Sequence, residues 1–507
     1  MAPKKSFMKD LKKKSKNTPQ QSTTADEYLA AGVDFEEAGG KWRSGDAAKS
    51  ARFFVRAIEC YDEALKKFPT SFDLAYNKAR VQYELTQHPK LLKQLQLPGM
   101  QLLQTALDSS RYALNLNSNG ADVLFNTAQV LTSLADGVSW KNSNDAEGDR
   151  ASCSLLEEAL GLFQRCLLQQ EREYEQFQAQ LASASGQMEA SISENVQIQE
   201  SNSNNSTPQS TDTNEEEQWV SVMEPITKDS LVDTLLALVE TLSVLCSRSS
   251  RLERDAGKYL HTVEQFATPD LLQKLSMYAS GTERELDAAV GQAGLVSSCS
   301  ETKYRVRVIE FRAYSAAVEE AWARLDLEKH VEGLCNRAES YTTASNTIFE
   351  GEAANSADPS IISEIAKLQW MLFSLAAQDV TAASKFRDDE NIGKIFLMRG
   401  DLELSRASLG RPPLNLELAQ KNRSVLLGNA EKYYRGAKVL TSGGEMQEEN
   451  EEATIKEALA KGLLGNWKEL EIVRETNVKT DEILWQAVGE RLVDEETLGA
   501  IEHLKDG

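Results

Sequence analysis

Hydrophobic and polar positions along this chain recur at helical spacing. The pattern is clearest in two segments, Asp73-Leu-Ala-Tyr-Asn-Lys-Ala-Arg-Val-Gln-Tyr-Glu-Leu85 and Asp122-Val-Leu-Phe-Asn-Thr-Ala-Gln-Val-Leu-Thr-Ser-Leu134. They superimpose with a shift of 49 residues, which sets Asp73 on Asp122, Tyr76 on Phe125, Asn77 on Asn126, Ala79 on Ala128 and Val81 on Val130. Apolar or small residues three and four apart gather on one helical face, so each segment predicts an amphipathic helix. Ahead of the first lie Ala57, Tyr61, Ala64 and then Pro69; ahead of the second lie Ala106, Ser110, Ala113 and the Asn117-Ser-Asn-Gly120 turn. Small residues let crossing helices approach while an aromatic ring fills the groove beside them. The predicted unit is helix, turn, helix, used more than once.

Those offsets, from Ala57 to Leu85, resemble the tetratricopeptide repeat, a 34-residue helix pair. The period here is longer, and the extra length falls at residues 86–100, so the resemblance is to an interrupted, irregular form. The small-aromatic-small face returns as Ala159, Phe163 and Cys166 in a helix predicted over residues 155–181. It returns again near the C-terminus, where Gly393, Phe396 and Gly400-Asp401 precede Ala430, Tyr434 and Ala437 across an Arg411-Pro-Pro413 interruption. The resemblance implies an all-α, right-handed superhelix of helix pairs with disordered insertions. It also implies a concave face, lined by the first helix of each pair, that holds an extended peptide or a partner helix. On that basis Asn77, Arg80, Gln82, Glu84, Asn126 and Gln129 are candidate partner contacts. Asn77 and Asn126 can instead bond a neighbouring backbone and stabilise the stack. Family members that clamp a C-terminal carboxylate use Lys and Arg where this chain has Asp122 and Asn126, so an acid stands where that chemistry needs a cation.

The predicted organisation runs from a disordered basic tail (1–25) through N-terminal repeats (26–181) to a Ser/Asn/Gln-rich disordered loop (182–217). A central helical region (218–385), a split repeat (386–442), an acidic loop (443–452) and capping helices (453–507) follow. Helices are expected over 227–245, 252–266, 269–278, 283–290, 303–325 and 328–349, and the caps over 453–474 and 480–505. Without β-branched alternation a sheet is not expected.

Composition narrows the function more than the fold. A net charge of −22 over 507 residues disfavours general nucleic-acid binding and favours basic protein partners. The exception is the tail, where Lys4, Lys5, Lys12, Lys13, Lys14 and Lys16 offer a nuclear address, a weak phosphate-binding arm or simply a solubilising segment. Six scattered Cys and four scattered His give no metal-ligand spacing and predict reduced thiols in a cytoplasmic or nuclear protein. No phosphate loop, dinucleotide fingerprint, Gly-x-Ser-x-Gly elbow or His-Glu-x-x-His motif is present, so neither an enzyme nor a cofactor is expected. No run approaches the 18 or more apolar residues of a membrane helix. The expected function is a non-catalytic scaffold, adaptor or assembly chaperone for protein segments. The alternative is an acidic nuclear chaperone for histones or ribosomal proteins, because the acidity, the interrupted repeats and the Lys-rich tail are similar to those of histone-binding chaperones with interrupted repeats.

Overall fold

The computed structural model describes residues 23–494 apart from 96, 141–145, 196–225, 253–254, 354–357, 388, 390 and 443–445. The Lys-rich stretch from Lys4 to Lys16 and most of the predicted 182–217 loop lie outside the described residues. Every regular element among the described residues is helical. The chain divides into two units, residues 1–134 and 135–507.

The first unit contains α1 (Ala25–Trp42), α2 (Ala47–Lys67), α3 (Phe72–Thr86), α4 (Pro89–Leu95), α5 (Gly99–Leu116) and the first part of α6 (Ala121–Trp140). A capping box starts α1: the Glu27 N–H donates to Thr24 Oγ1 at 3.2 Å, and the Thr24 N–H donates to the Glu27 carboxylate at 3.3 Å. Asp46 caps α2 by accepting from the Lys49 N–H at 2.8 Å. The predicted small-aromatic-small face holds, with Ala57, Tyr61 and Ala64 all 0% exposed. Gly32 on α1 makes room for it, since a Cβ there would stand 2.3 Å from Tyr61 Cε1. The interruption at 86–100 is itself helical. It contains α4, whose Leu91 is buried in the same core as Phe54, Tyr61 and Leu85.

The second unit continues with α7 (Ala146–Asn195), α8 (Lys228–Ser249), α9 (Ala256–Phe266), α10 (Pro269–Ala279), α11 (Glu285–Arg305), α12 (Phe311–Trp322) and α13 (Val331–Ile348). After a π-helical turn at Phe349–Ala353 come α14 (Pro359–Ala383), α15 (Ile392–Ser408), α16 (Glu417–Leu440), α17 (Gln447–Leu463), α18 (Lys468–Thr476) and α19 (Thr480–Gly489). The centre of the first half is α8, which packs against α7, α9, α10 and α11. By length and composition α8 could cross a membrane, contrary to the expectation from sequence. Leu231, Val232, Leu235, Leu242 and Leu245 are each 0% exposed, however, so this apolar surface is spent on packing.

Several predicted boundaries are corrected. Helix α7 starts before residue 155 and runs to Asn195, taking in the beginning of the predicted loop. The helix expected over 303–325 is two helices, because α11 (Glu285–Arg305) runs past residue 303 and stops in a Schellman turn. There Arg307 has φ 61°, its N–H bonds the Tyr304 carbonyl at 2.9 Å, and the Val308 N–H bonds that of Lys303 at 2.8 Å. Residues 447–452 of the expected acidic loop are the first turns of α17, where Glu448 and Glu449 favour the positive end of the helix. The helix expected over 453–474 ends at a second Schellman turn, with Gly465 at φ 103°. Helix α19 of the last expected cap stops at Gly489, and residues 495–505 of that cap lie outside the described residues.

The split repeat α15/α16 reproduces the α1/α2 crossing. A Cβ on Gly400 would lie 2.3 Å from Tyr434 Cε1, and the Tyr434 hydroxyl donates to Asp401 Oδ1 at 2.7 Å. Asp401 is joined in turn by Lys456 of α17, at 2.9 Å. Lys456 is 2% exposed and also meets Glu452 at 2.7 Å and Glu490 at 3.8 Å. Burial works against its charge, and Asp401 followed by Glu452 and Glu490 more than offset it, raising its pKa.

Candidate functional site

In the first unit the first helices α1, α3 and α6 are joined through polar side chains. Glu36 of α1 forms an ion pair with Arg80 of α3 and accepts a hydrogen bond from the Tyr61 hydroxyl of α2 at 2.5 Å. Arg43, just past α1, pairs with Glu84, which Arg80 also approaches at 3.5 Å. Burial disfavours the Arg80 charge, and Glu36 then Glu84 outweigh it, so the guanidinium is held cationic. Between α3 and α6, Asn126 donates to the Tyr76 hydroxyl at 2.7 Å, and the Tyr83 hydroxyl lies 2.9 Å from Ser133 Oγ. Burial, with Asp122 nearby, pushes the Tyr76 phenol up to about 12.

The candidate contacts therefore divide. Asn77 donates to the Asp73 carbonyl at 2.8 Å and accepts from Arg80 at 3.4 Å. Arg80, Glu84 and Asn126 are half-buried and engaged across the helix seams just described. Gln129 is half-buried, and its main-chain carbonyl accepts from Tyr83 at 3.4 Å. Gln82 was expected on the open face but is 4% exposed: its position one residue after Val81 turns it into the packing between helices.

What the layer does expose is carboxylate. Helix α1 carries Asp26, Glu27, Asp34, Glu36 and Glu37 against Lys41; α3 carries Asp73 and Glu84 against Lys78 and Arg80; the first part of α6 carries Asp122 alone. Asp34, Asp73 and Asp122 are all exposed. Helix α2 reverses the balance of α1, carrying Lys49, Arg52, Arg56, Lys66 and Lys67 against Glu59, Asp62 and Glu63, while α5 carries Asp108 against Arg111. Selecting polar residues on first helices missed these acids. For α1 the signal that finds them is its charge balance against α2.

A cleft of about 800 Å³ opens at the C-terminal end of α1, lined among others by Glu37, Lys41, Arg43, His88 and Lys90. Burial and then Arg43 depress the His88 pKa, so at neutral pH the cleft's cations are its Lys and Arg side chains. Among the described residues no group of three or more His, Cys, Asp or Glu side chains gathers as a metal site would require.

No family model matches this chain. A protein of Schizosaccharomyces pombe, UPF0656 protein C926.02, is 24% identical over 434 residues, covering 85% of this chain and 87% of its own length. Among solved structures, a circular tandem repeat protein is similar over 92% of this chain and 98% of its own, with TM-score 0.30 and 14% identity. Nro1, a hypoxic regulator of sterol synthesis described as a nuclear import adaptor, covers 84% of this chain and 93% of its own, with TM-score 0.31 and 10% identity. Yeast Tom70 covers 92% of this chain and 100% of its own, with TM-score 0.15 and 13% identity.

Proposed function

We propose that this protein is a non-catalytic helical scaffold that binds a basic protein segment across the first-helix layer of its N-terminal unit. The observation that carries this reading is a set of exposed carboxylates, Asp34 of α1, Asp73 of α3 and Asp122 of α6, in a unit where α1 carries five acids against one Lys while α2 is basic. Charges with no preferred partner mix on a helical surface, whereas a face of one sign attracts its opposite and repels its own. Asp73 and Asp122 take the same place in successive repeats, so an extended segment with Lys or Arg at intervals meets an acid on each helix. The cleft at the end of α1 carries the opposite charge and suits no such segment. The finer reading, a nuclear chaperone for histones or ribosomal proteins, adds the Lys-rich residues 4–16 as an address.

A pull-down of the full chain from nuclease-treated extract, followed by mass spectrometry, tests both levels. The scaffold reading expects basic proteins that are lost as salt rises, and expects Asp34→Asn, Asp73→Asn and Asp122→Asn together to lose them too. Capture that is unchanged in the triple variant would overturn it. Removing residues 1–20 should shift a tagged protein out of the nucleus if the address reading holds, and an unchanged distribution would sink that part alone.

A further inference from the structure

Two of the six cysteines, remote in sequence, meet between the central helices of the second unit. Cys246 near the end of α8 and Cys299 on α11 are 53 positions apart, and their Sγ atoms stand 3.6 Å from each other. Cys246 is 0% exposed, while Cys299 is half-buried. The backbone around them is held in register: the Thr302 hydroxyl of α11 donates to the Cys246 carbonyl at 3.2 Å, and Ser249 donates to the same carbonyl at 3.0 Å. Lys303, one turn beyond Cys299, adds a cation, and Glu264 holds its Nζ at 3.2 Å.

We propose that Cys246 and Cys299 are a peroxide-responsive dithiol that closes to a disulfide bridging α8 and α11. The two sulfurs divide the work by access and charge. The hydrogen bond from Cys246 lowers the Cys299 pKa; burial opposes this, and Lys303 adds to the lowering. The same hydrogen bond, followed by burial, raises Cys246. Cys299 is thus the thiolate that attacks and Cys246 the thiol that resolves.

Cys299 thiolate displaces hydroxide from hydrogen peroxide, which takes up a proton to become water, and leaves Cys299 as a sulfenic acid. The Cys246 sulfur then attacks the sulfenic sulfur, gives up its proton, and expels the sulfenic oxygen as a second water. Two thiols lose two electrons, and one peroxide is reduced to two waters. Because α8 packs directly on α11, the two sulfurs need only close from 3.6 Å to the roughly 2 Å of a disulfide bond. Two of the other thiols are poor nucleophiles: burial pushes Cys153 up to about 12 and Cys335 up to about 11. Cys60 turns its thiol toward the Tyr28 carbonyl at 3.6 Å.

The test exposes the folded full-length protein to hydrogen peroxide near pH 7, traps free thiols with N-ethylmaleimide, and maps the non-reduced digest by mass spectrometry. The expected product is a dithiothreitol-sensitive crosslink between the Cys246 and Cys299 peptides, forming about tenfold faster than any oxidation of Cys60, Cys153 or Cys335. The oxidised protein should also exchange amide hydrogens more slowly across α8 and α11 than the reduced protein, because the crosslink restricts their opening. In C246S, Cys299 loses its resolving partner and should accumulate as sulfinic acid. Phenylarsine oxide, which needs two adjacent thiols, should block the wild-type crosslink and bind neither single Ser variant. Wild-type oxidation that leaves Cys299 overoxidised and uncrosslinked, or that proceeds no faster there than at Cys335, would overturn the proposal.

Discussion

The crossing of α1 with α2 and that of α15 with α16 are built from the same parts but set in different surroundings. In each, a first-helix glycine lies under a second-helix tyrosine, the tyrosine hydroxyl donates to a carboxylate on the first helix, and a cation from the following helix pairs with that carboxylate. At the N-terminal crossing the cation is Arg80, whose side chain is 35% exposed. At the C-terminal one it is Lys456, 2% exposed among Asp401, Glu452 and Glu490. The first arrangement stands at the edge of an exposed acidic layer; the second is closed over by α17 and α19. A shared stacking device thus accompanies exposed carboxylates in one unit and a covered cation in the other.

The largest effect that separates the two comes from removing the cations. Lys456→Met leaves Asp401, Glu452 and Glu490, themselves 26–41% exposed, facing one another around a buried position and should cost about 3 kcal/mol. Arg80→Met removes a 35% exposed cation and leaves one carboxylate, Glu36, which keeps the Tyr61 hydroxyl as a donor, so it should cost less, about 1–2 kcal/mol. Hydrogen exchange across α15–α17 and across α1–α3 gives the local stabilities that a single unfolding midpoint of a two-unit chain would blur. Equal losses would show that exposure does not distinguish the crossings.

Next in size are the glycines. Gly32→Ala and Gly400→Ala each drive a Cβ to 2.3 Å from a buried tyrosine ring, so each should cost about 1–3 kcal/mol through overpacking. A much smaller loss in either, measured by the same exchange, would mean that the ring has somewhere to go. Tyr61→Phe should be milder, about 1 kcal/mol, because Glu36 keeps its Arg80 partner.

Alkaline pH probes both crossings together. Burial and then the adjacent carboxylate hold the Tyr61 and Tyr434 phenols well above their ordinary pKa. The unfolded phenols ionise near pH 10, so the folded state keeps protons that the unfolded state releases. Stability is therefore complete below about pH 10 and falls as pH rises toward the folded values. Ultraviolet titration should show part of the tyrosine absorbance change arriving only together with loss of helix. Complete ionisation in a still-helical protein would contradict the buried geometry. The smallest structural effect belongs to Asp34→Asn, Asp73→Asn and Asp122→Asn, within about 0.5 kcal/mol each, although binding should fall sharply.

The sequence made the crossings legible because they rest on side-chain size at helical spacing: Ala57, Tyr61 and Ala64 in one unit and Ala430, Tyr434 and Ala437 in the other are all buried as the pattern predicts. It hid the breaks that carry no glycine. Arg307 takes a left-handed conformation usually left to Gly, held by an ion pair with Glu352 at 2.8 Å and a bond to the Gly351 carbonyl at 3.0 Å, partners 44 or more positions away. Gly465, by contrast, marks its turn openly, since only its residue type adopts φ 103° without strain. Asn77 and Asn126 were visible as equivalent positions, but their roles depend on what the neighbouring helix offers: the Asp73 carbonyl for one and the Tyr76 hydroxyl for the other. The Cys246 and Cys299 contact was invisible for the same reason, since only the packing of α8 on α11 brings residues so far apart together.

Hydrogen exchange of the full chain, with and without the basic protein recovered from extract, tests the central claim most directly. Binding across the first-helix layer predicts added protection in α1, α3 and α6, with α2, α5 and the α15–α17 crossing unchanged. Protection confined to the second unit, or centred on α2, would contradict it.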